Sequence, residues 1–195
     1  EAACRARSFD RIMLATNSKE VASHASSWGC QIYMSDQDHR SKSRLVAEAV
    51  SNIANCASVV AMLNPNEPEM VGGYLDKAAA RVAETGNIAT VAAQSIDDDT
   101  VRVAVSKQST ALYFTRSVLA GAFQSLGVCA FSQDHLERIA SMPSSPIADT
   151  EKLEQLEWID NGMAINVVIV DRATRAMHTA EDWRKWKPPS DLASM

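Results

Sequence analysis

The chain has 195 residues, 46% of them hydrophobic and 22% charged, with only 7 Gly and 6 Pro, which predicts one globular domain with a real core and excludes a disordered tail or a small cross-linked scaffold. A net charge of -5 without a long basic block excludes a broad electrostatic surface for nucleic acid or anionic membrane, leaving room only for small local anion sites. No apolar stretch reaches the roughly 18 residues of a bilayer-spanning helix, so the expectation is a soluble chain without a transmembrane segment. Cys4, Cys30, Cys56 and Cys129 lie far apart without a Cys-x-x-Cys pair. They read as reduced thiols rather than as a zinc site or a disulfide framework.

In chain order, residues 10–16 form an apolar run stopped by Asn17-Ser18, and residues 19–28 carry helical periodicity up to Gly29. Residues 31–34 predict a strand, 36–44 a polar loop and 45–54 a helix. A strand over 58–63 is broken by Asn64-Pro65-Asn66-Glu67-Pro68, and a helix over 70–85 closes at Gly86. Residues 88–93 and 101–105 predict strands around the acidic turn Asp97-Asp98-Asp99, and 111–115 a third. A strand over 127–132, a short helix over 133–141 and a loop over 142–146 follow. Residues 149–161 predict a single helix capped by Asp149 and Thr150, with Leu153, Leu156 and Ile159 on one face. Residues 164–170 suit the centre of a sheet. Thr179-x-x-Asp182 opens a last helix over 179–186, stopped by Pro188-Pro189.

This alternation predicts an α/β domain over residues 1–186, with a mixed, mostly parallel sheet covered on both faces and a tail at 187–195. Ligands in such sheets bind beyond the carboxyl ends of the strands. The loops to inspect are Asn17-Ser18, 36–44, 64–68 and 171–179. His178, beside Asp171 and Glu181, has no spaced partner, so no metal is assigned to it. Arg40, Lys42 and Arg44 read as a solvated basic loop, with phosphate binding as the alternative. Asp97-Asp98-Asp99 lacks the spacing and glycine of a calcium loop. Ser109, Ser117 and the four His have no nucleophile-elbow context, so no catalytic nucleophile is assigned. Trp183 and Trp186 either dock on a partner or pack back on their own domain.

Several segments resemble one family: Arg11-Ile12-Met13-Leu14-Ala15-Thr16-Asn17, Asp38-His39 with Ser41, Asn66-Glu67-Pro68, Ala111-Leu112-Tyr113-Phe114-Thr115-Arg116, Leu126-Gly127, Leu153-Glu154-Gln155-Leu156 and Thr179-Ala180-Glu181-Asp182. In order and separation they are similar to the 3-deoxy-manno-octulosonate (KDO) cytidylyltransferases, which join CTP to a sugar acid with release of pyrophosphate. The resemblance implies a Rossmann-like nucleotidyltransferase domain, here without the family's first strand and phosphate loop, and with a shortened dimer segment at 117–124. It also implies a magnesium ion between nucleotide and sugar acid.

Against that pattern, both magnesium positions lack their carboxylate: the aspartate of Gln-Gly-Asp-Glu-Pro is Asn66, and that of Gly-Val-Asp-Thr-Pro-Glu-Asp is His178. In the nucleotide segment Gly-Thr-Glu-Arg the chain reads Lys42-Ser43-Arg44-Leu45, a degenerate loop at Lys42 and Arg44. Ser125 and Cys129 replace a sugar-contacting His and Tyr, while Glu154 and Gln155 survive from the sugar-acid pocket. The expectation is therefore a non-catalytic relative without a cofactor, kept as an accessory subunit among other protein subunits of a larger assembly. Glu1 in place of Met, read as the trace of a removed targeting peptide, points to an organelle, the mitochondrion rather than the plastid. One alternative is a diverged or truncated enzyme that holds magnesium through Glu67 or water. The other is a module that binds nucleotide or sugar acid without turnover.

Overall fold

In a computed structural model the described residues are 2–53, 57–94 and 100–188. Ala54, Cys56, the acidic turn at 97–99 and the tail end at 189–195 lie outside them. The described chain opens with a short helix α1 (Ala2–Arg5), then strand β1 (Met13–Thr16), α2 (Lys19–Ala25) and β2 (Gln31–Met34). The Ser18 hydroxyl accepts the Val21 N–H and so fixes the switch from β1 into α2. Next come α3 (Lys42–Ile53), β3 (Val60–Leu63) and α4 (Gly72–Thr85), which ends on left-handed Gly86. Strands β4 (Ile88–Ala93), β5 (Arg102–Val105), β6 (Ala111–Thr115) and β7 (Phe123–Phe131) follow. The remainder is α5 (Gln133–Ser141), α6 (Pro146–Glu151), α7 (Glu154–Asp160), β8 (Ile165–Val170) and α8 (Ala180–Lys185).

The architecture is α/β with a mixed sheet flanked by helices, as expected. Its main sheet has the order β6-β5-β7-β4-β8, with β3 added against β7, while β1 and β2 pair with each other in a second, two-stranded sheet. The antiparallel share is larger than the βα rhythm predicts. β1–β2 and β4–β8 are parallel, whereas β3–β7, β4–β7, β5–β6 and β5–β7 are antiparallel. The reason is connection length: no helix separates β5, β6 and β7, and parallel neighbours need a crossover of about a dozen residues.

Strand alternation builds a core on each face. Leu126, Val128 and Ala130 of β7 join Ala89, Val91 and Ala93 of β4 beneath α4, whose Tyr74, Leu75, Ala78 and Val82 are buried there. On the opposite face Cys129 and Phe131 of β7 pack with Ile88 and Ala92 of β4 under α3, α5 and α7. Trp158 is fully buried there, edge-on to Phe131 with ring centroids 5.2 Å apart.

Several boundaries differ from the sequence expectation, among them the start of α3, which takes in Lys42 to Arg44 from the predicted loop. β7 begins at Phe123, four residues before the predicted 127, because its first half pairs with β5, Gln124 opposite Arg102 and Phe123 opposite Val103. The single helix expected over 149–161 is two. Ser145 caps a new helix with Pro146 in its first turn, and Lys152, at φ 56°, ends it in the left-handed conformation. The break lets Leu153 bury itself while Leu156 keeps its place on the apolar face. No helix among the described residues is long and apolar enough to cross a membrane.

Candidate active site

An open, polar cavity of about 680 Å³ lies on the face of β7 where Ser125, Gly127 and Cys129 point outward from the sheet. The segment into α3 (His39 to Lys42) forms one wall and the turn after β3 (Asn64, Asn66, Glu67) another. The α6–α7 junction, with Lys152, Glu154 and Gln155, forms the third, and Arg116 and His178 also line the cavity. Its volume is that of a small-molecule site. Three of the four loops singled out from the sequence contribute to it. Asn17-Ser18 does not: Asn17 donates to Asp38 (2.8 Å) and Ser18 is spent on capping α2.

Gly127 is required where β7 meets the turn after β3. The Asn64 N–H donates to the Gly127 carbonyl at 2.8 Å, and a Cβ on Gly127 would lie 2.1 Å from Glu67 Oε1 and 2.6 Å from Asn64 Cβ. Glu67 is held in this niche by the Thr174 hydroxyl, which donates to its Oε2 at 2.5 Å, and by the Gly127 N–H. Burial nevertheless raises its pKa above the ordinary carboxylate range, so its negative charge is disfavoured there. Cys129 is more extreme: burial pushes its thiol up to about 12, which removes it as a nucleophile.

The acidic residues around the cavity are spent internally. Glu154 Oε2 accepts both the Ser43 N–H (3.0 Å) and the Ser43 hydroxyl (2.6 Å), capping the start of α3. Asp149 pairs with Arg40, and Glu157 pairs with Arg44 at 3.0 Å. Arg44 also donates to the carbonyls of Ala140 and Met142 at the end of α5. Lys42 and Arg44, expected in a degenerate nucleotide loop, are helical instead. Both lie in the first turn of α3, and Arg44 turns away from the cavity to bind three helices together. Lys42 faces the cavity and donates to Asn64 Oδ1 at 2.8 Å. Among the described residues no carboxylate pairs with Lys42, Arg116 or Lys152, and no cation pairs with Glu154, so the cavity wall holds three cations and one carboxylate without ion-pair partners.

A second polar cluster joins β2 to α3. Tyr33 and Ser35 donate to the two oxygens of Glu48 at 2.7 and 2.8 Å, and His39 Nε2 lies against the same Glu48 Oε2. The Tyr33 hydrogen bond, with those of Ser35 and His39, holds the Glu48 pKa below its ordinary value although burial opposes it. Ser35 and Glu48 both meet His39 through Nε2. A catalytic relay needs nucleophile and carboxylate on different ring nitrogens, so this network positions the loop into α3 rather than activating Ser35.

The corner at Asn66 and His178 does not fit the magnesium ion that the resemblance implies. Asn66 Nδ2 donates to the Met177 carbonyl (3.3 Å) and the Asn66 backbone carbonyl accepts the Met177 N–H (2.8 Å), which brings the two positions together with an amide and an imidazole in place of two carboxylates. Magnesium takes hard oxygen ligands, carboxylates above all. Of the carboxylates near this corner, Glu67 is buried, engaged and disfavoured as an anion, and Asp182 is spent on the backbone N–H groups of His178 and Thr179 at 2.9 and 2.7 Å. Among the described residues no group of three His, Cys, Asp or Glu side chains could hold a metal.

Comparison with known proteins decides the family. The Cytidylyltransferase family matches residues 1–165. The chain belongs to the cytidylyltransferase family. It is 30% identical to the 3-deoxy-manno-octulosonate cytidylyltransferase of Nitratidesulfovibrio vulgaris over 91% of this chain and 78% of that protein. It is 31% identical to that of Rhodopseudomonas palustris over 88% and 77%. Among solved structures it is similar to a CMP:2-keto-3-deoxy-manno-octonic acid synthetase complexed with CTP, with a TM-score of 0.84 at 22% identity, covering 94% of this chain and 82% of that one. The 4-diphosphocytidyl-2C-methyl-D-erythritol synthase of Anaerococcus prevotii shares the fold at a TM-score of 0.56 and 14% identity, covering 89% and 78%.

These matches overturn the expectation of a non-enzyme. Relatives named as cytidylyltransferases align with this cytidylyltransferase-family chain over about nine-tenths of its length, and the substitutions at Asn66, His178 and Lys42 lie in a chain that otherwise follows theirs. Glu154 and Gln155, which could equally have been solvated surface, both line the cavity. The sequence reading missed Arg116 and Lys152 as cavity cations and Glu48 as the anchor of the loop into α3. The motif containing Arg116 and the break at Lys152 were visible, but not the direction in which either side chain points.

Proposed function

We propose that this protein is a cytidylyltransferase that joins CTP to a 3-deoxy-manno-octulosonate-type sugar acid. A sugar-acid hydroxyl oxygen forms a bond to the α-phosphorus of CTP, the bond from that phosphorus to the bridging oxygen breaks, pyrophosphate leaves and the hydroxyl proton passes to solvent. The observation that carries the reading is one polar cavity, lined by Lys42, Arg116 and Lys152, which pair with no carboxylate among the described residues, in a chain that matches KDO cytidylyltransferases over nearly all its length. Those cations suit the phosphates. Ser125, Glu154 and Gln155 suit the sugar acid, with Glu154 acting through Ser43 to hold the start of α3 in place. Fixed charge in a walled cavity stabilises a phosphoryl transition state because it needs no reorganisation.

The test is pyrophosphate release from purified protein given CTP and KDO, in magnesium and separately in EDTA. The expected result is release above the buffer blank that needs both substrates. No release in either medium overturns the proposal.

A further inference from the structure

The disagreement between the implied magnesium site and the residues present has a counterpart in the same cavity. At the two positions that would carry carboxylates stand Asn66 and His178, held together through the backbone of Met177. Facing them, where the family pattern has a glycine, stands Lys42, whose ammonium is anchored at 2.8 Å to Asn64, two residues before Asn66. Two carboxylates around a divalent cation sum to neutrality. An amide, an imidazole and an ammonium put one fixed cation where the pattern has two carboxylates.

Lys42 is poorly placed for any purely local purpose. It is the first residue of α3, the end where the helix dipole disfavours a cation. Its anchor is an amide oxygen rather than a carboxylate, so its charge is not neutralised, and an ammonium with one acceptor keeps further N–H donors for a ligand. Arg40 and Arg44 on either side are committed to Asp149 and Glu157. Glu67 in the same corner is buried and engaged by Thr174.

We infer that Lys42 supplies the cationic charge that holds the nucleotide phosphates in this cavity, so that the nucleotide binds without a divalent cation. The inference rests on the proposed cytidylyltransferase reading and names how its site meets the phosphates.

The experiment is calorimetric titration of CTP into the purified protein in EDTA and in magnesium, repeated with Lys42→Met and Lys42→Arg. The wild-type dissociation constant is expected to differ less than about threefold between the two media. Lys42→Met is expected to weaken binding about tenfold or more, the usual weight of a charge-assisted hydrogen bond, while Lys42→Arg stays within a few-fold of wild type. Thermal melting shows whether each variant folds, and the wild-type comparison of the two media stands even if one does not. CTP binding that appears only in magnesium overturns the inference and leaves the cytidylyltransferase reading standing. Binding in EDTA that Lys42→Met leaves unchanged also overturns it. Absence of CTP binding in both media overturns the inference and the reading together.

Discussion

His135 shows how a single side chain couples a helix end to pH. It is the third residue of α5, and its Nδ1 accepts the Ser132 N–H at 3.1 Å while the Ser132 hydroxyl accepts the His135 N–H, a capping box with a histidine where glutamate or glutamine is usual. A proton on Nδ1 would destroy the acceptor. Burial lowers the His135 pKa below its ordinary value, and the nearby Arg138 adds to the shift. Between the lowered folded value and the ordinary unfolded one, the unfolded chain binds the extra proton, so stability rises with pH across that window. The His135 contribution is fully present above the ordinary histidine value and is lost as pH falls through the folded one. His135→Gln keeps the acceptor and does not titrate, so its urea midpoint is expected to vary less with pH across that window than that of the wild type. An unchanged slope would place the pH dependence elsewhere.

Among the elements, α3 is the one whose placement matters most for the cavity, since it carries Lys42 at its first residue and takes Glu154 as its cap. Arg44 fixes it. The Arg44 side chain is 18% exposed and that of Glu157 on α7 is 4% exposed, and the same guanidinium reaches the carbonyls of Ala140 and Met142. Removing one partner of such a pair strands the other, at a cost of about 3–5 kcal/mol, whereas replacing both by apolar groups can be nearly neutral. Arg44→Met is therefore expected to lower the urea unfolding free energy by about that much, and Arg44→Met with Glu157→Leu to recover most of it. If the single variant costs nothing, α3 is held by its apolar face alone.

For the molecule as a whole, stability is expected to be uneven. Every residue of β4 is buried and the strand is bonded to β7 on one side and β8 on the other, with a hydrophobic cluster on each face. β1 and β2 form their own two-stranded sheet and bury only Thr16. Strands between two cores open only with global unfolding, while sparsely buried pairs open locally. Hydrogen exchange read by mass spectrometry should find β4 protected longest and the β1–β2 segment exchanging well before it. Equal protection would mean that the two sheets unfold as one unit.

Much of the element order was legible because its signals are local. The bounds of Gln31–Met34, Ile88–Ala93, Ala111–Thr115 and Gln133–Ser141 follow from apolar runs and caps within a few residues, and the structure places them where the pattern does. The family was legible for the same reason, carried by short strings such as Ala111 to Arg116 and Leu153 to Leu156. The start of β7 was not, because pairing with β5 decides it. Nor was the fate of the charges: Arg40, Ser43 and Arg44 meet Asp149, Glu154 and Glu157 across 109, 111 and 113 residues of chain. Hydrogen bonds and ion pairs depend on separation in space, which a linear pattern does not contain. The sequence by itself fixed the scaffold and its family, and only the tertiary structure decided that Arg44 is spent inside the protein while Lys42 still faces the cavity with its charge.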